Sequence, residues 1–374
     1  MKFVISTQEF NFLVNKCLNV GGAKSTIPIL SNLLIEAMND ELVITATDLT
    51  VGVRCFTEAK ILEEGATTLP AKRSAQLVRE LTSVNLEIST NSNDITEIVA
   101  GSSRFKLHGM SKGEFPALPN MTGAAQCEIS QAELKDMLFR TAFAVSRDDN
   151  RYVLTGALMQ IAHGEATFIG TDGKRLAKAK MALSVEPGFS GNYIIPLKAV
   201  EEILKNLSDE GVARIEMLAD KISVETNNTI IVTKLLSGDY PDVSRVIPER
   251  SEAVVVLHRE ELITLLRQVS LFTMETSHSV RFSFSDGELK LTANAMDVGE
   301  GKVSMPVNYQ GEKLDIAFNP NFFLDILRHT KGDTVTIGMT DAFNPGVITD
   351  GGGAGRPGEA RSLFVLMPMR LNEE

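Results

Sequence analysis

The chain has 374 residues, 43% of them hydrophobic, with no Trp and a formal net charge of −11. That supplies aliphatic core for two or three domains of about 150 residues each, and no apolar run reaches the roughly 18 residues of a membrane span. The acidic balance speaks against a protein that grips phosphate over its whole surface, so the distribution of charge decides whether nucleic acid is a partner.

In chain order, Met1-Lys2-Phe3-Val4-Ile5-Ser6-Thr7-Gln8-Glu9 turns polar too early for a secretory signal, which leads to the expectation of a cytoplasmic protein. Ser6 to Val20 has apolar residues at Phe10, Leu13, Val14, Cys17 and Leu18, the period of an amphipathic helix. Ser6 with Glu9 matches a capping box. Leu33 to Met38 reads as a strand before the turn Asn39-Asp40, and Val43 to Thr47 as another before Asp48. Pro70 opens a second helix running to Leu81. The loop Glu114-Phe115-Pro116-Ala117-Leu118-Pro119 follows. A third helix spans Ser130 to Ser146, with Ser130 and Glu133 as its capping pair. Ala166 to Leu183 then reads as a hairpin turning at Asp172-Gly173. Pro196 opens a helix to Leu207, Thr229 to Leu236 is a strand, and Asp239-Tyr240-Pro241-Asp242-Val243 is a loop. Further on lie a helix over His258 to Phe272, strands at Val280 to Phe284 and Leu289 to Ala295, and a helix from Pro320 to Thr330.

These elements repeat. Asp48, Asp172 and Asp297 are 124 and 125 positions apart, Pro70, Pro196 and Pro320 are 126 and 124 apart, and Phe115 and Tyr240 are 125 apart. The chain therefore reads as three tandem α+β units, at 1–122, 127–248 and 251–374. A period this long means domain duplication, because solenoid repeats run about 20–50 residues. The equivalence of the three aspartates points to one repeated turn rather than to acid–base or metal chemistry. Cys17, Cys55 and Cys127 stand far apart without metal or redox spacing and read as buried thiols in a reducing compartment. Five scattered His residues form no triad or metal set, so neither cofactor nor metal is expected.

The six helices carry 12 Lys/Arg and 9 Asp/Glu, a net of +3, which leaves −14 on the rest of the chain. Six helices on one side of a sheet scaffold would make a weakly basic surface with an acidic exterior. Tandem β-rich domains continue one another's sheets and leave an open edge at each end of the row. Pairing the last domain of one chain with the first of another covers both edges and closes a ring when the rotation allows. A mildly basic hole suits DNA held by enclosure rather than by tight contact.

Several stretches carry a family resemblance along the whole chain. They are Thr26-Ile27-Pro28-Ile29-Leu30-Ser31-Asn32-Leu33-Leu34, Ala46-Thr47-Asp48-Leu49, Arg151-Tyr152-Val153-Leu154-Thr155-Gly156 and Thr171-Asp172-Gly173-Lys174-Arg175-Leu176-Ala177, followed by Tyr240-Pro241-Asp242, Arg245-Val246-Ile247-Pro248 and Val365-Leu366-Met367-Pro368-Met369-Arg370-Leu371. With these the chain resembles the bacterial sliding clamps, the beta subunit family of DNA polymerase III. The resemblance implies three clamp domains, with helices inside and sheets outside, closing as a head-to-tail homodimer into a ring around double-stranded DNA. It implies a non-catalytic processivity subunit that tethers the polymerase, with no membrane partner. It also implies a groove for peptides of the polymerase III alpha subunit, the clamp loader and other partners. The matching groove positions are Leu154, Thr171, Gly173, Lys174, Arg175, Leu176, Pro241, Arg245, Val246, Val365, Met367, Pro368, Met369 and Arg370. The residue types suit peptide binding. Leu154, Leu176, Val246, Val365 and Met367 offer an apolar pocket, and methionine adapts to varied ligands. Arg175 and Arg245 at its rim are expected to receive peptide carbonyls or carboxylates. DNA-contacting positions are Lys24, Lys72, Arg73, Lys198 and Lys205, and the dimer interface sets Arg73 and Phe105 against Leu271, Phe272, Asp297 and Glu300.

The chain departs from the family pattern at Lys174, where a histidine is usual, in the loop Asp350 to Gly358, and in the tail Asn372-Glu373-Glu374. An enzyme is the rival class, but the Gly351 to Gly355 run lacks the spacing and the Lys-Ser/Thr of a phosphate loop. A tandem-domain peptide-binding scaffold without DNA is the other alternative.

Overall fold

A computed structural model describes residues 1–22, 26–186, 188–274, 278–350 and 360–370. Lys24, the Gly351–Gly358 run and the Asn372–Glu374 tail lie outside the described residues. The first repeat holds β1 (Lys2–Ser6), α1 (Thr7–Gly21), β2 (Asn32–Met38), β3 (Glu41–Thr47), β4 (Val51–Glu58), β5 (Lys60–Glu63), β6 (Gly65–Pro70), α2 (Ala71–Glu80), β7 (Asn85–Thr90), β8 (Ile95–Ala100) and β9 (Ser103–His108). The second holds β10 (Ala125–Ser130), α3 (Gln131–Ala142), β11 (Gly156–Ala162), β12 (Glu165–Thr171), β13 (Arg175–Ala182), β14 (Gly191–Pro196), α4 (Leu197–Asn206), β15 (Val212–Met217), β16 (Lys221–Thr226) and β17 (Thr229–Lys234). The third holds β18 (Ala253–His258), α5 (Arg259–Ser270), β19 (Val280–Ser285), β20 (Glu288–Ala295), β21 (Gly299–Pro306), β22 (Leu314–Phe318), α6 (Pro320–His329), β23 (Thr334–Met339), β24 (Gly346–Thr349) and β25 (Ser362–Leu366). Apart from β5, each repeat runs strand, helix, four strands, helix, three strands.

The helices begin where the caps call for them. Ser6 Oγ accepts the Glu9 N–H at 3.1 Å and donates to the Glu9 carboxylate at 2.9 Å. Asn319 caps α6, with Pro320 in the first turn. His258 makes no side-chain cap bond at α5, unlike Ser6 at α1. The expected helix to Ser146 stops at Ala142, because Ala144 and Val145 turn back onto the Thr141 and Ala142 carbonyls.

Two compact units form, and they cut across the repeats. One comprises 1–135 with 198–236, the other 136–197 with 237–374. The reason lies in the sheets. In the first unit, β6-β2-β3-β4 of the first repeat continue through β17-β16-β15-β10 of the second as one eight-stranded sheet. In the second unit, β14-β11-β12-β13 continue through β25-β24-β23-β18 in the same order. The joining ladders share one register: Gly52 faces Val232 across β4–β17, and Leu176 faces Val365 across β13–β25. Half-sheets remain at the two ends, β5-β1-β7-β8-β9 and β21-β20-β19-β22.

Each unit buries aliphatic and Phe side chains between helix and sheet. Phe3, Phe10, Leu13, Val14 and Cys17 are fully enclosed in the first. Phe282, Phe318, Phe323 and Phe364 are buried in the second, where Phe282 stacks on Phe323 at 5.1 Å. Cys17 and Cys55, 38 positions apart, meet with their sulfurs 3.5 Å from each other in the first core. Sequence spacing could not show this, because the contact joins α1 to β4.

A buried ionic cluster holds the second unit beside β25. Arg140 pairs with Asp136 and Asp350, and Asp350 also accepts the Lys331 N–H and the Ser362 hydroxyl. Burial pushes the Asp350 carboxyl up, but Arg140 and these donors outweigh it and hold it below its ordinary value. The folded state therefore gains stability from Asp350 above the ordinary carboxylate pKa of about 4, and loses it as pH falls through the lower folded value. Asp350→Asn, which leaves Arg140 without that partner, is expected to cost about 3 kcal/mol in urea unfolding at pH 7. The deficit should shrink below about pH 4; a variant of unchanged stability at pH 7 would contradict this.

Candidate functional site

The turn between β12 and β13 builds one wall of a cavity. Asp172 Oδ1 accepts the N–H groups of Lys174 and Arg175 at 2.9 and 3.0 Å, and Thr171 Oγ1 donates to the Arg175 carbonyl at 2.6 Å. Asx turns of this kind satisfy the backbone locally. Gly173 takes φ +83°, and a Cβ there would lie 2.1 Å from Arg151 Nη1. The Lys174 carbonyl accepts the Met367 N–H at 3.0 Å, which brings the segment after β25 against the turn. The loop Pro241–Val246 closes the far side, its single helical turn capped by Asp242 onto Ser244.

The resulting cavity of about 290 Å³ is lined by Arg151, Leu154, Thr171, Gly173, Lys174, Arg175, Leu176, Pro241, Asp242, Val243, Val246, Val365 and Met367. The structure thus gathers Leu154, Thr171, Gly173, Lys174, Arg175, Leu176, Pro241, Val246, Val365 and Met367 from the expected groove set. Arg245, Pro368, Met369 and Arg370 do not line it. Arg245 is exposed and pairs with Asp242 at 3.3 Å, while the Met369 N–H is spent on the Ala317 carbonyl. Sequence reasoning missed Arg151, Asp242 and Val243 as lining residues, although the motifs Arg151-Tyr152-Val153-Leu154 and Tyr240-Pro241-Asp242 contain the first two. Leu154, Leu176 and Val365 form a buried apolar floor, whereas Val246 and Met367 are 42% and 40% exposed at the rim.

Arg175 corrects an expectation. Its guanidinium does not wait at the rim: it donates to Asp172 at 3.1 Å, Asp325 of α6 at 2.8 Å and the Phe143 carbonyl at 3.1 Å. It also stacks between Phe322, 4.6 Å away, and Phe143, 5.3 Å away. Phe143 in turn stacks on His329 at 4.0 Å. Arg175 is a tie that fixes the groove wall to α6. Burial holds the His329 imidazole below its ordinary pKa, so the ring is neutral near pH 7. Lys174 is exposed, and its side chain makes no ion pair among the described residues.

Of the cations expected at DNA, Lys72, Arg73, Lys198 and Lys205 sit on helices of the first unit, and Lys24 lies outside the described residues. Lys72 and Arg73 are exposed on α2, and Lys72 lines a shallow cavity with Leu18, Asn19, Gly22, Ala75, Gln76 and Arg79. On α4, Lys198 is paired with Asp48 and Lys205 donates to the Asn15 carbonyl of α1 at 2.7 Å. Both are partly spent within the protein. Of the expected interface residues, Phe105 is half-buried on β9, and Leu271, just after α5, is 73% exposed. Phe272 packs over Gly301 of β21; Asp297 and Glu300 are exposed on the β20–β21 hairpin, and Arg73 lies on α2. The third turn departs from the expected equivalence. Asp48 Oδ1 accepts from Thr50 and Val51 as Asp172 does from its turn, but Asp297 caps no N–H among the described residues. Gly299 at φ +122° closes that shorter hairpin instead.

Among the described residues, no group of three or more His, Cys, Asp or Glu side chains is placed to hold a metal, and no helix is long and apolar enough to cross a membrane. Three tandem α+β repeats joined edge to edge carry this largely apolar cavity beside the joint of β13 and β25. Comparison with known proteins gives the chain a family. Sequence models of the DNA polymerase III beta subunit match its N-terminal domain at residues 1–119, its central domain at 128–242 and its C-terminal domain at 244–369. The beta sliding clamp of Chlamydia pneumoniae is 56% identical over 374 residues, all of both chains. Solved sliding clamps from Pseudomonas aeruginosa and Bartonella birtlesii, each bound to griselimycin, superpose with TM-scores of 0.94 and 0.93 at 27% and 32% identity, covering 99% of this chain and 100% of theirs. The chain belongs to the DNA polymerase III beta subunit family, the sliding clamps of DNA replication.

Gly173→Ala is expected to cost about 1–2 kcal/mol, from a left-handed backbone and the displaced Arg151. Thermal unfolding measures the cost, and a melting temperature equal to that of the parent would contradict it.

Proposed function

We propose that two copies of this chain close head to tail into a ring that encircles double-stranded DNA and tethers DNA polymerase III to it without catalysis of its own. The observation that carries this reading is the pair of unmatched half-sheets. The run β1-β7-β8-β9 has the order of β18-β23-β24-β25, and β21-β20-β19-β22 has the order of β13-β12-β11-β14. Inside the chain, the corresponding halves are joined through β25 and β13. The same rule across chains pairs β9 with β21 of a second copy, so that the two half-sheets complete each other as the halves inside the chain do. That joint would bring Phe105 and Arg73 toward Leu271, Phe272, Asp297 and Glu300. On this reading the chain has three domains, at 1–122, 127–248 and 251–374. The count of two chains rests on the family.

The helix cations suit a loose grip on DNA. Lys72 and Arg73 are open to phosphate, whereas Lys198 and Lys205 already have partners, so the DNA is retained by enclosure more than by contact. The groove between β13 and the Pro241–Val246 loop is the docking site for peptides of the polymerase alpha subunit, the clamp loader and other partners. Griselimycin, carried by two similar clamps, is a probe for it. The place of action is the cytoplasm, where the DNA lies. A peptide scaffold without DNA is not favoured.

Phe105→Ala is expected to raise the dimer dissociation constant roughly 30-fold, about 2 kcal/mol, as for an aromatic at the centre of an interface. Analytical ultracentrifugation reads this, and a native mass of one chain for the parent protein would contradict the ring. Met367→Asp sets a charge on the apolar rim and should weaken griselimycin binding about 100-fold, some 3 kcal/mol, while the native mass stays unchanged. Unaltered affinity would remove the groove assignment.

A further inference from the structure

The two sheet joints are built alike, and the groove described above lies at the second. At the first, the Asp48 turn makes the same bonds as the Asp172 turn: Thr47 Oγ1 donates to the Val51 carbonyl at 3.1 Å, and Leu49 N–H donates to Thr47 Oγ1 at 3.1 Å. The ladder pair Gly52–Val232 stands where Leu176–Val365 floors the second groove. One feature is exchanged. The loop residue equivalent to Val243 is Leu118, 125 positions earlier, and it lies directly on Gly52. A Cβ on Gly52 would fall 2.4 Å from Leu118 Cδ2 and 3.2 Å from Val232 Cγ1. The first joint thus has a small strand residue under a large loop residue, and the second has the reverse. A Cβ at position 52 would displace the Leu118 methyl from this seat, so Gly52 leaves the room that Leu118 fills.

We propose that the first joint is a second copy of the peptide groove, kept closed by Leu118 of the same chain, which occupies the place of a ligand's apolar anchor. This rests on the reading of the second joint as a peptide groove. The occupant is held at high effective concentration by the short loop Phe115–Pro119, so a free peptide cannot compete with it. Each chain therefore offers one groove to partners, although its architecture contains two. The chemistry the plugged site would take is that of Leu118 itself, a branched aliphatic side chain on a proline-flanked extended segment.

Calorimetric titration with griselimycin tests this on the full-length dimer. The parent protein is expected to bind one equivalent per chain, and Leu118→Ala to bind a second, weaker equivalent. The exchange Gly52→Leu with Leu118→Val, which copies the second joint, is expected to do the same without leaving a void. Circular dichroism checks that each variant is folded. One equivalent per chain in every folded variant would overturn the plug. If the parent binds none and a variant binds one, the second-joint groove fails while the plug stands. If Met367→Asp is added to Leu118→Ala, the weaker equivalent alone should remain, and loss of all binding would overturn the inference.

Discussion

The main-chain ladder between β13 and β25 is the constraint on which the rest depends. Strands at a sheet edge carry unpaired N–H and C=O groups, and this chain satisfies them by running one repeat's sheet into the next. The register is not free. A slip of one residue would turn Leu176 and Val365 to the opposite face and empty the groove of its floor. The Asx turn at Asp172 ends the β12–β13 hairpin where Arg175 can reach Asp325, so a main-chain device and a side-chain tie agree on one geometry. At the first joint the tie is Lys198 with Asp48, a simpler pair of opposite sense.

Electrostatics follows from this economy. Several cations carried by the helices are paired within the protein. Lys16 is bound to Asn228 and Thr229, and burial lowers its pKa. Lys198 and Lys205 are similarly engaged. On the proposed reading a surface so prepared attracts DNA weakly, and the ring keeps the DNA by topology. Around the groove, Arg175 and Arg245 are neutralised by Asp172, Asp325 and Asp242. For the proposed peptide ligand, Leu154, Leu176, Val365 and the unbranched Met367 offer apolar contact, with Lys174 as an exposed cation of the lining.

Local signals are legible from the residues. The Ser6–Glu9 box and Asp172-Gly173 rest on neighbours in sequence and appear where expected, as does Pro320 in the first turn of α6, whereas Pro70 and Pro196 end the strands β6 and β14 one residue before their helices. The threefold spacing foretells the common order of elements, because duplication preserves register. What is not legible depends on long-range partners. Arg175 reads as a rim cation until Asp325, 150 positions away, is seen to hold it. Cys17 and Cys55 read as isolated until α1 lies on β4. Asp297 shares a spacing with Asp48 and Asp172 but, among the described residues, not their bonds, and it sits in a turn one residue shorter, closed by the Ala295–Gly299 pair. Val243 and Leu118 give no sign of exchanged roles, because the difference arises from Leu176 and Gly52 on another strand.

Retention on DNA is the most direct test of the central claim, that sheet continuation across two chains closes a ring. The protein is loaded onto nicked circular DNA, and its dissociation is followed before and after one cut linearises the circle. Ring closure predicts long retention on the circle and rapid loss from the free ends, with little dependence on salt while the circle is intact. Equal rates of loss from circular and linear DNA would contradict it.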